Sequence, residues 1–139
     1  MSRAAVQNCR RGTTTVEFAI CLPLVLLLFF GAMEFSRINM LRHTIAQAAY
    51  EGARRGIVPG ATADQVRTTA ADVLGSIWAA SYTIDVVPAT ITPQTTQVTV
   101  SISLPLAQNC WVPSVFVSGG TVSKSFTMER EKYETVTVP

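Results

Sequence analysis

The feature that most restricts this chain of 139 residues is an apolar run near its N-terminus, which contains no charge between Glu17 and Glu34. As a helix, residues 18–33 would be about 24 Å long at ~1.5 Å per residue. That length is a little short of the ~30 Å hydrocarbon core of a bilayer. Large apolar side chains cover every face of this helix, and the rest of the chain is too short to wrap it on all sides. The run therefore predicts a transmembrane helix over residues 13–35.

The markers of this span are Phe18, Pro23, Leu26 and Phe30. Pro23 lacks a backbone donor, but a membrane helix can bend at a proline when neighbouring groups satisfy the carbonyl that it leaves open. A cleavable secretory signal is the competing interpretation. A cut after Ala32 would place Phe30 where a signal needs a small residue, so a retained anchor is favoured. Three arginines precede the run and two follow it, which favours a cytoplasmic N-terminus.

Glu17 is an acid at the edge of the hydrocarbon, where a carboxylate needs a partner. A cut after Gly12 would make Thr13 the new N-terminus and give it a free ammonium group. Glu17 would then be the fifth residue, on the same helix face as the ammonium and near the positive end of the helix dipole. The spacing predicts that Glu17 pairs with this amine or with the amine of an adjacent subunit. An interfacial acid that only marks the end of the span is the simpler alternative.

The sequence RRGTTTVEF, at residues 10–18, resembles the class III leader junction of type IV pilins and pseudopilins. With the apolar run and the later AQAAYEGAR, at residues 46–54, it is similar to the TadE-like family of the tight-adherence (Tad/Flp) pilus machinery. The close resemblance covers about residues 10–56. It implies a bacterial minor pseudopilin that a prepilin peptidase cuts between Gly12 and Thr13. The implied partners are that peptidase, other pilus or pseudopilus subunits, the inner-membrane platform of the Tad secretion system and the lipid bilayer.

After the span, the apolar pattern predicts an α+β domain. Helical spacing extends the first helix, with an amphipathic second half, to about Arg55. Thr62 and Gln65 predict a capping-box start for a second helix that ends near residues 76–78. Alternating residues then predict a small antiparallel sheet of about three strands, with one polar face and one face packed on the helices. The predicted apolar stripe of the first helix is Phe35, Ile38, Leu41, Ile45, Ala48, Ala49 and Ala53. The strand markers are Tyr82, Ile84 and Val86, then Val98, Val100, Ile102 and Leu104, and finally Val122, Phe126 and Met128.

Two tryptophans, Trp78 and Trp111, are expected in the core of this domain or at an interface, and the core is favoured. Pro105 and Pro113 bound a predicted loop, and residues 128–139 are expected to form a solvated edge or extension.

The polar residues form no arrangement typical of an enzyme. His43 is the one histidine, and no second ligand or nucleophile stands at a suitable spacing from it. Cys9, Cys21 and Cys110 lie in different segments, so no intramolecular disulfide is expected. Three of the eleven basic residues precede Gly12, leaving eight against nine acidic residues, and no basic stripe typical of nucleic-acid binding is present. We therefore expect no catalytic residues, cofactor, metal, nucleic acid or small-molecule substrate.

Together these patterns predict a structural and assembly protein of the inner membrane. Residues 1–12 would be a leader, residues 13–35 a single transmembrane helix, and residues 36–139 a periplasmic or extracellular TadE-like domain. The alternative is an unprocessed single-pass membrane protein whose external domain binds a partner or ligand. A soluble secreted protein is the third interpretation.

Overall fold

The computed structural model describes residues 3–110 and 119–130, with side chains described from Gly12 onward. Two helices, α1 (Arg3–Gly56) and α2 (Ala63–Gly75), precede three strands, β1 (Thr83–Val87), β2 (Gln97–Pro105) and β3 (Thr121–Glu129). A 3₁₀ turn, Leu106–Gln108, follows β2. The predicted α+β fold, with a long N-terminal helix, a second helix and a three-stranded antiparallel sheet, is confirmed.

The chain divides into two compact units between Ser36 and Arg37. We refer to the part up to Ser36 as the N-terminal unit and to the part from Arg37 as the C-terminal unit. Helix α1 supplies the first unit and the opening element of the second, whereas α2 and the sheet belong wholly to the C-terminal unit.

Helix α1 begins earlier than the sequence pattern predicted. It starts at Arg3 rather than near Thr13, so the bond between Gly12 and Thr13 lies inside the helix. Alanine, glutamine and arginine, which are common in the first nine residues of α1, have favourable helix propensities, and an established helix extends at little cost. The C-terminal end falls at Gly56, with two arginines in the last turn, where cations interact favourably with the helix dipole.

Helix α2 begins at the predicted cap. The side chain of Thr62 accepts a hydrogen bond from the backbone N–H of Gln65 at 3.3 Å. The side chain of Gln65 differs from the capping-box expectation, because its Oε1 accepts a hydrogen bond from Nη2 of Arg55 at 3.2 Å. This bond links the end of α1 to the first turn of α2.

The sheet has the order β1-β2-β3, and both pairs of strands are antiparallel. One face is hydroxyl-rich, because Thr83, Ser103 and Ser123 lie in register across the three strands. On the same face, the hydroxyl groups of Thr99 and Thr127 form a cross-strand hydrogen bond of 2.8 Å. The other face carries the apolar markers of β2, and all four of them are fully buried.

The core lies between this apolar face and the helices of the C-terminal unit. It contains the predicted stripe of α1 from Leu41 onward, together with Val66, Ala70 and Leu74 of α2. Phe126 lies on the inner face of β3 and packs edge-to-face on Tyr50 of α1, with ring centroids 5.3 Å apart. The predicted sidedness of the sheet is therefore confirmed.

The core position favoured for Trp78 is wrong, and the apolar stripe of α1 becomes buried later than at its first predicted residue. Phe35 is 67% exposed and belongs to the N-terminal unit, because the buried stripe of α1 begins only after Arg37. Trp78 is 89% exposed rather than part of the core. The predictions for Trp111, for Pro113 and for residues 131–139 lie outside the described residues.

Candidate membrane and assembly segment

The first part of α1 carries the predicted transmembrane residues. Its apolar side chains are exposed on all sides, including Phe18, Leu26 and Phe30, and Pro23 lies within the helix. From Gly12 onward, α1 is long and apolar enough to cross a membrane, and none of its most apolar window is buried. Large apolar side chains on every face of a helix are stable in a lipid environment and costly in water.

The structure places Gly12, Thr13 and Glu17 on consecutive turns of α1, all of them exposed. Four residues separate Thr13 from Glu17, which corresponds to one turn and an axial rise of about 6 Å. In the uncut helix the N-terminus is at Arg3, and the first turn contains no acid. Glu17 is then about 21 Å along the axis from the helix start, well outside the first turn, where the dipole acts.

The second part of α1 approaches its neighbours closely through glycines. A Cβ atom added to Gly56 would lie 2.8 Å from Cγ1 of Val98, and one added to Gly52 would lie 3.3 Å from Cβ of Ala70. The backbone of α1 therefore packs directly on β2 and α2. Sequence reasoning missed this role, although Ala48, Gly52 and Gly56 recur every four residues, which is a signal for close helix packing.

Asn109 organises the end of the C-terminal unit at which α1 enters it. Its backbone oxygen accepts a hydrogen bond from Nε of Arg37 at 2.8 Å. Its side-chain Oδ1 accepts from the N–H of Ala80 at 2.8 Å, and Nδ2 donates to the carbonyls of Ser81 and Pro105 at 3.3 and 2.9 Å. The side chain is only 3% exposed, so these bonds satisfy polar groups that burial would otherwise leave unpaired.

The titratable and thiol side chains are scattered among residues 12–110 and 119–130 rather than grouped as metal ligands would be. Within these ranges, no three His, Cys, Asp or Glu side chains are grouped so that they could hold a metal ion. His43 and Cys21 are exposed, and Cys110 is half-buried against the core.

The chain is similar to a known protein family over part of its length. The family model described as TadE-like protein matches residues 12–54, in agreement with the resemblance that the leader junction and the AQAAYEGAR block indicated. The match begins at Gly12 and ends two residues before the end of α1, so it includes Glu17 and Gly52 but neither α2 nor the sheet. No curated protein and no solved structure matches the chain. The family points to a role related to the Tad pilus, and the exposed apolar helix is consistent with membrane anchoring.

Proposed function

We propose that this TadE-like chain is a minor pseudopilin-like subunit for the assembly of a Tad/Flp-type pilus. It is held in the inner membrane by the first part of α1, with its N-terminus in the cytoplasm. A prepilin peptidase removes the leader after Gly12, and the C-terminal unit projects into the periplasm or beyond the cell. The chain is a substrate of that peptidase and has no catalytic role of its own.

The observation that carries this proposal is the combination of features at the start of the TadE-like match. A glycine, an acid five residues later and an exposed apolar helix follow one another within residues 12–54. A membrane anchor alone requires the apolar helix, but it gives no reason for an acid at the boundary of the span. Cleavage after Gly12 supplies the reason, because it creates an ammonium group one helical turn before that acid.

Cleavage would change the electrostatic surroundings of Glu17. Removal of residues 1–12 moves the start of the helix from Arg3 to Thr13, so Glu17 comes to lie in the second turn. There it lies about one turn from the positive end of the helix dipole instead of about four turns, and proximity to that end favours an acid. It also gains an ammonium group one turn away, an attraction that strengthens as the surroundings become less polar.

Gly12 also suits the position of the cut. A protease must open the helix locally to reach the bond between Gly12 and Thr13, because that bond lies inside α1. Glycine is about 0.8–1.0 kcal/mol less favourable than alanine inside a helix. The helix is thereby weakened at the residue that precedes the cut.

Assembly would then exchange lipid for protein around the span. The apolar side chains of residues 18–33 contact lipid while the subunit is stored in the bilayer. On extraction, the same side chains are buried against neighbouring apolar helices, and Glu17 pairs with the amine of its own chain or of the adjacent subunit.

Mass spectrometry of the chain purified from membranes of piliated cells tests the processing step. We expect a mature N-terminus at Thr13 when the prepilin peptidase is present and an intact leader when it is deleted. An intact leader in both strains would contradict the proposal and favour the unprocessed single-pass protein.

Replacement of the acid tests the assembly step. The variant Glu17→Gln keeps the size and helix propensity of the side chain but removes the charge, so it should insert normally and support severalfold fewer pili. The matched control is Asp72→Asn, which removes an exposed carboxylate from α2 and should leave pilus number unchanged. Normal piliation with Glu17→Gln would contradict a role of this acid in assembly.

A further inference from the structure

Trp78 combines an unusual backbone with an unusual exposure. Its φ angle is +51°, in the left-handed region, and its side chain is 89% exposed. The left-handed conformation is unfavourable for a residue with a Cβ atom. Burial of a large apolar side chain would stabilise the fold, and the exposed Trp78 does not provide that stabilisation. Nothing in the stability of the C-terminal unit explains why a tryptophan occupies this position.

The loop that carries Trp78 is held firmly in place. The N–H of Trp78 donates to the carbonyl of Gly75 at 3.2 Å, and this hydrogen bond forms a turn directly after α2. The next residues of the loop, Ala80 and Ser81, are both bonded to the buried side chain of Asn109. The indole therefore projects from a fixed base, and little conformational entropy is lost when it binds a surface.

The same hydrogen bonds place the loop at one particular end of the C-terminal unit. Asn109 also accepts the hydrogen bond from Arg37, the first residue of that unit. Arg37 comes only two residues after Phe35, the last residue of the predicted span. The opposite end of the unit is where Gly56 meets Val98. The Trp78 loop is therefore linked, through Asn109, to a residue that follows the predicted span by two positions.

We propose that Trp78, with Tyr82 four residues later in the same loop, is an interfacial anchor that places its indole ring among the phospholipid headgroups of the bilayer that α1 spans. Tryptophan and tyrosine are enriched at this depth, since the ring is apolar while its N–H or O–H group remains within reach of water and headgroups. Tyr82 is also exposed. The inference rests on the membrane anchoring in the proposed function but not on leader cleavage or pilus assembly.

The experiment uses the full chain in vesicles of phosphatidylcholine and phosphatidylglycerol. The variant Trp111→Phe leaves Trp78 as the sole tryptophan, because the chain contains two. Lipids brominated on the acyl chain near the headgroup quench tryptophan emission only at short range. The control is Glu129→Trp in a chain that also carries Trp78→Phe and Trp111→Phe. Glu129 is exposed and pairs with Gln97 at the start of β2, whereas Asn109 bonds to Pro105 at the opposite end of that strand.

We expect the emission of Trp78 to be blue-shifted and to lose severalfold more intensity with brominated lipid than the Glu129→Trp control. Equal quenching of the two, with the emission of a water-exposed indole, would overturn the inference. A blue shift that is insensitive to brominated lipid and grows with protein concentration would also overturn it, in favour of a protein surface as the partner.

Two further measurements separate the possible failures. Flotation of the vesicles reports membrane anchoring itself, so failure to float would refute the anchor in the proposed function, whereas flotation without quenching would refute only the role of Trp78. Circular dichroism of each variant checks the fold. If Glu129→Trp does not fold, Thr127→Trp in the same background replaces it, because Thr127 is exposed on the same strand.

Discussion

The two parts of α1 differ in what their side chains require around them. In the N-terminal unit, leucine and phenylalanine are exposed on every face. In the C-terminal unit, one stripe of the same helix is buried, and that stripe is made mostly of alanine and glycine. The two parts have the same helical backbone geometry, so the side chains alone determine which surroundings, lipid or protein, each part requires. Bulky residues on all faces require lipid, and small residues on one face require another backbone close by.

The largest test of this comparison removes the same side chain from each part. Leu41 is 1% exposed and Leu28 is 71% exposed. We expect Leu41→Ala to lower the free energy of unfolding of the C-terminal unit by about 2–5 kcal/mol, because it leaves a cavity. Leu28→Ala should change it by less than about 0.5 kcal/mol. Denaturant unfolding of the full chain in detergent measures both, and equal losses would contradict the division into two environments.

A charge placed in the N-terminal unit should impair membrane insertion, whereas the same charge in the second part of α1 should not. An arginine near the centre of a membrane helix opposes insertion by about 2.5–3.5 kcal/mol, so we expect Leu26→Arg to reduce the carbonate-resistant fraction strongly. The control is Gln47→Arg, which adds the same charge to an exposed position in the second part of α1. If both variants remained equally membrane-bound, the span would lie elsewhere than residues 13–35.

The glycines allow a third test, smaller in size. Gly56→Ala brings a methyl group to within 2.8 Å of Val98, and overpacking of this kind typically costs about 1–3 kcal/mol. A Cβ atom added to Gly31 would meet no atom within 4 Å. Gly31→Ala should therefore leave the stability of the C-terminal unit unchanged. Thermal unfolding followed by near-ultraviolet circular dichroism measures the difference. A neutral Gly56→Ala would show that α1 and β2 are not in close contact.

The smallest expected effect concerns a local polar bond in the C-terminal unit. Thr62→Ala removes the cap of α2 and should cost about 1 kcal/mol. The matched change Thr68→Ala removes a hydroxyl that donates to the carbonyl of Asp64 within the helix. It should cost less, because that carbonyl keeps its backbone hydrogen bond in the helix. If the two variants lost the same stability in denaturant unfolding, the hydrogen bond of Thr62 to Gln65 would not stabilise α2.

Much of the fold could be predicted from the sequence because periodicity reflects burial directly. The alternation of apolar and polar residues predicts which face of β2 each side chain occupies, and all four of its apolar markers are buried. The cap at Thr62 was found because a hydroxyl before an apolar stripe satisfies the open N–H groups of a helix start. In each case the signal and the structure depend on residues that are close in the sequence.

The features that were missed depend on residues far apart. Asn109 joins Arg37, Ala80 and Pro105 through single hydrogen bonds, and no local pattern marks such a residue. Trp78 was expected in the core because tryptophan usually buries large area, but its neighbours in space decide its exposure. The early start of α1 escaped prediction because the leader has no apolar stripe. The roles of Gly12, Thr13 and Glu17 depend on other proteins and stay predictions.

The close approach at Gly52 and Gly56 limits the size of the side chains that one side of α1 can carry. Side chains on the opposite side, such as Gln47 and Arg54, point to solvent and can change in length and charge with little consequence for packing. At the two glycines, each added carbon atom must displace the sheet or α2. This part of α1 should therefore tolerate substitutions on the side that faces water and tolerate few on the side that contacts β2 and α2.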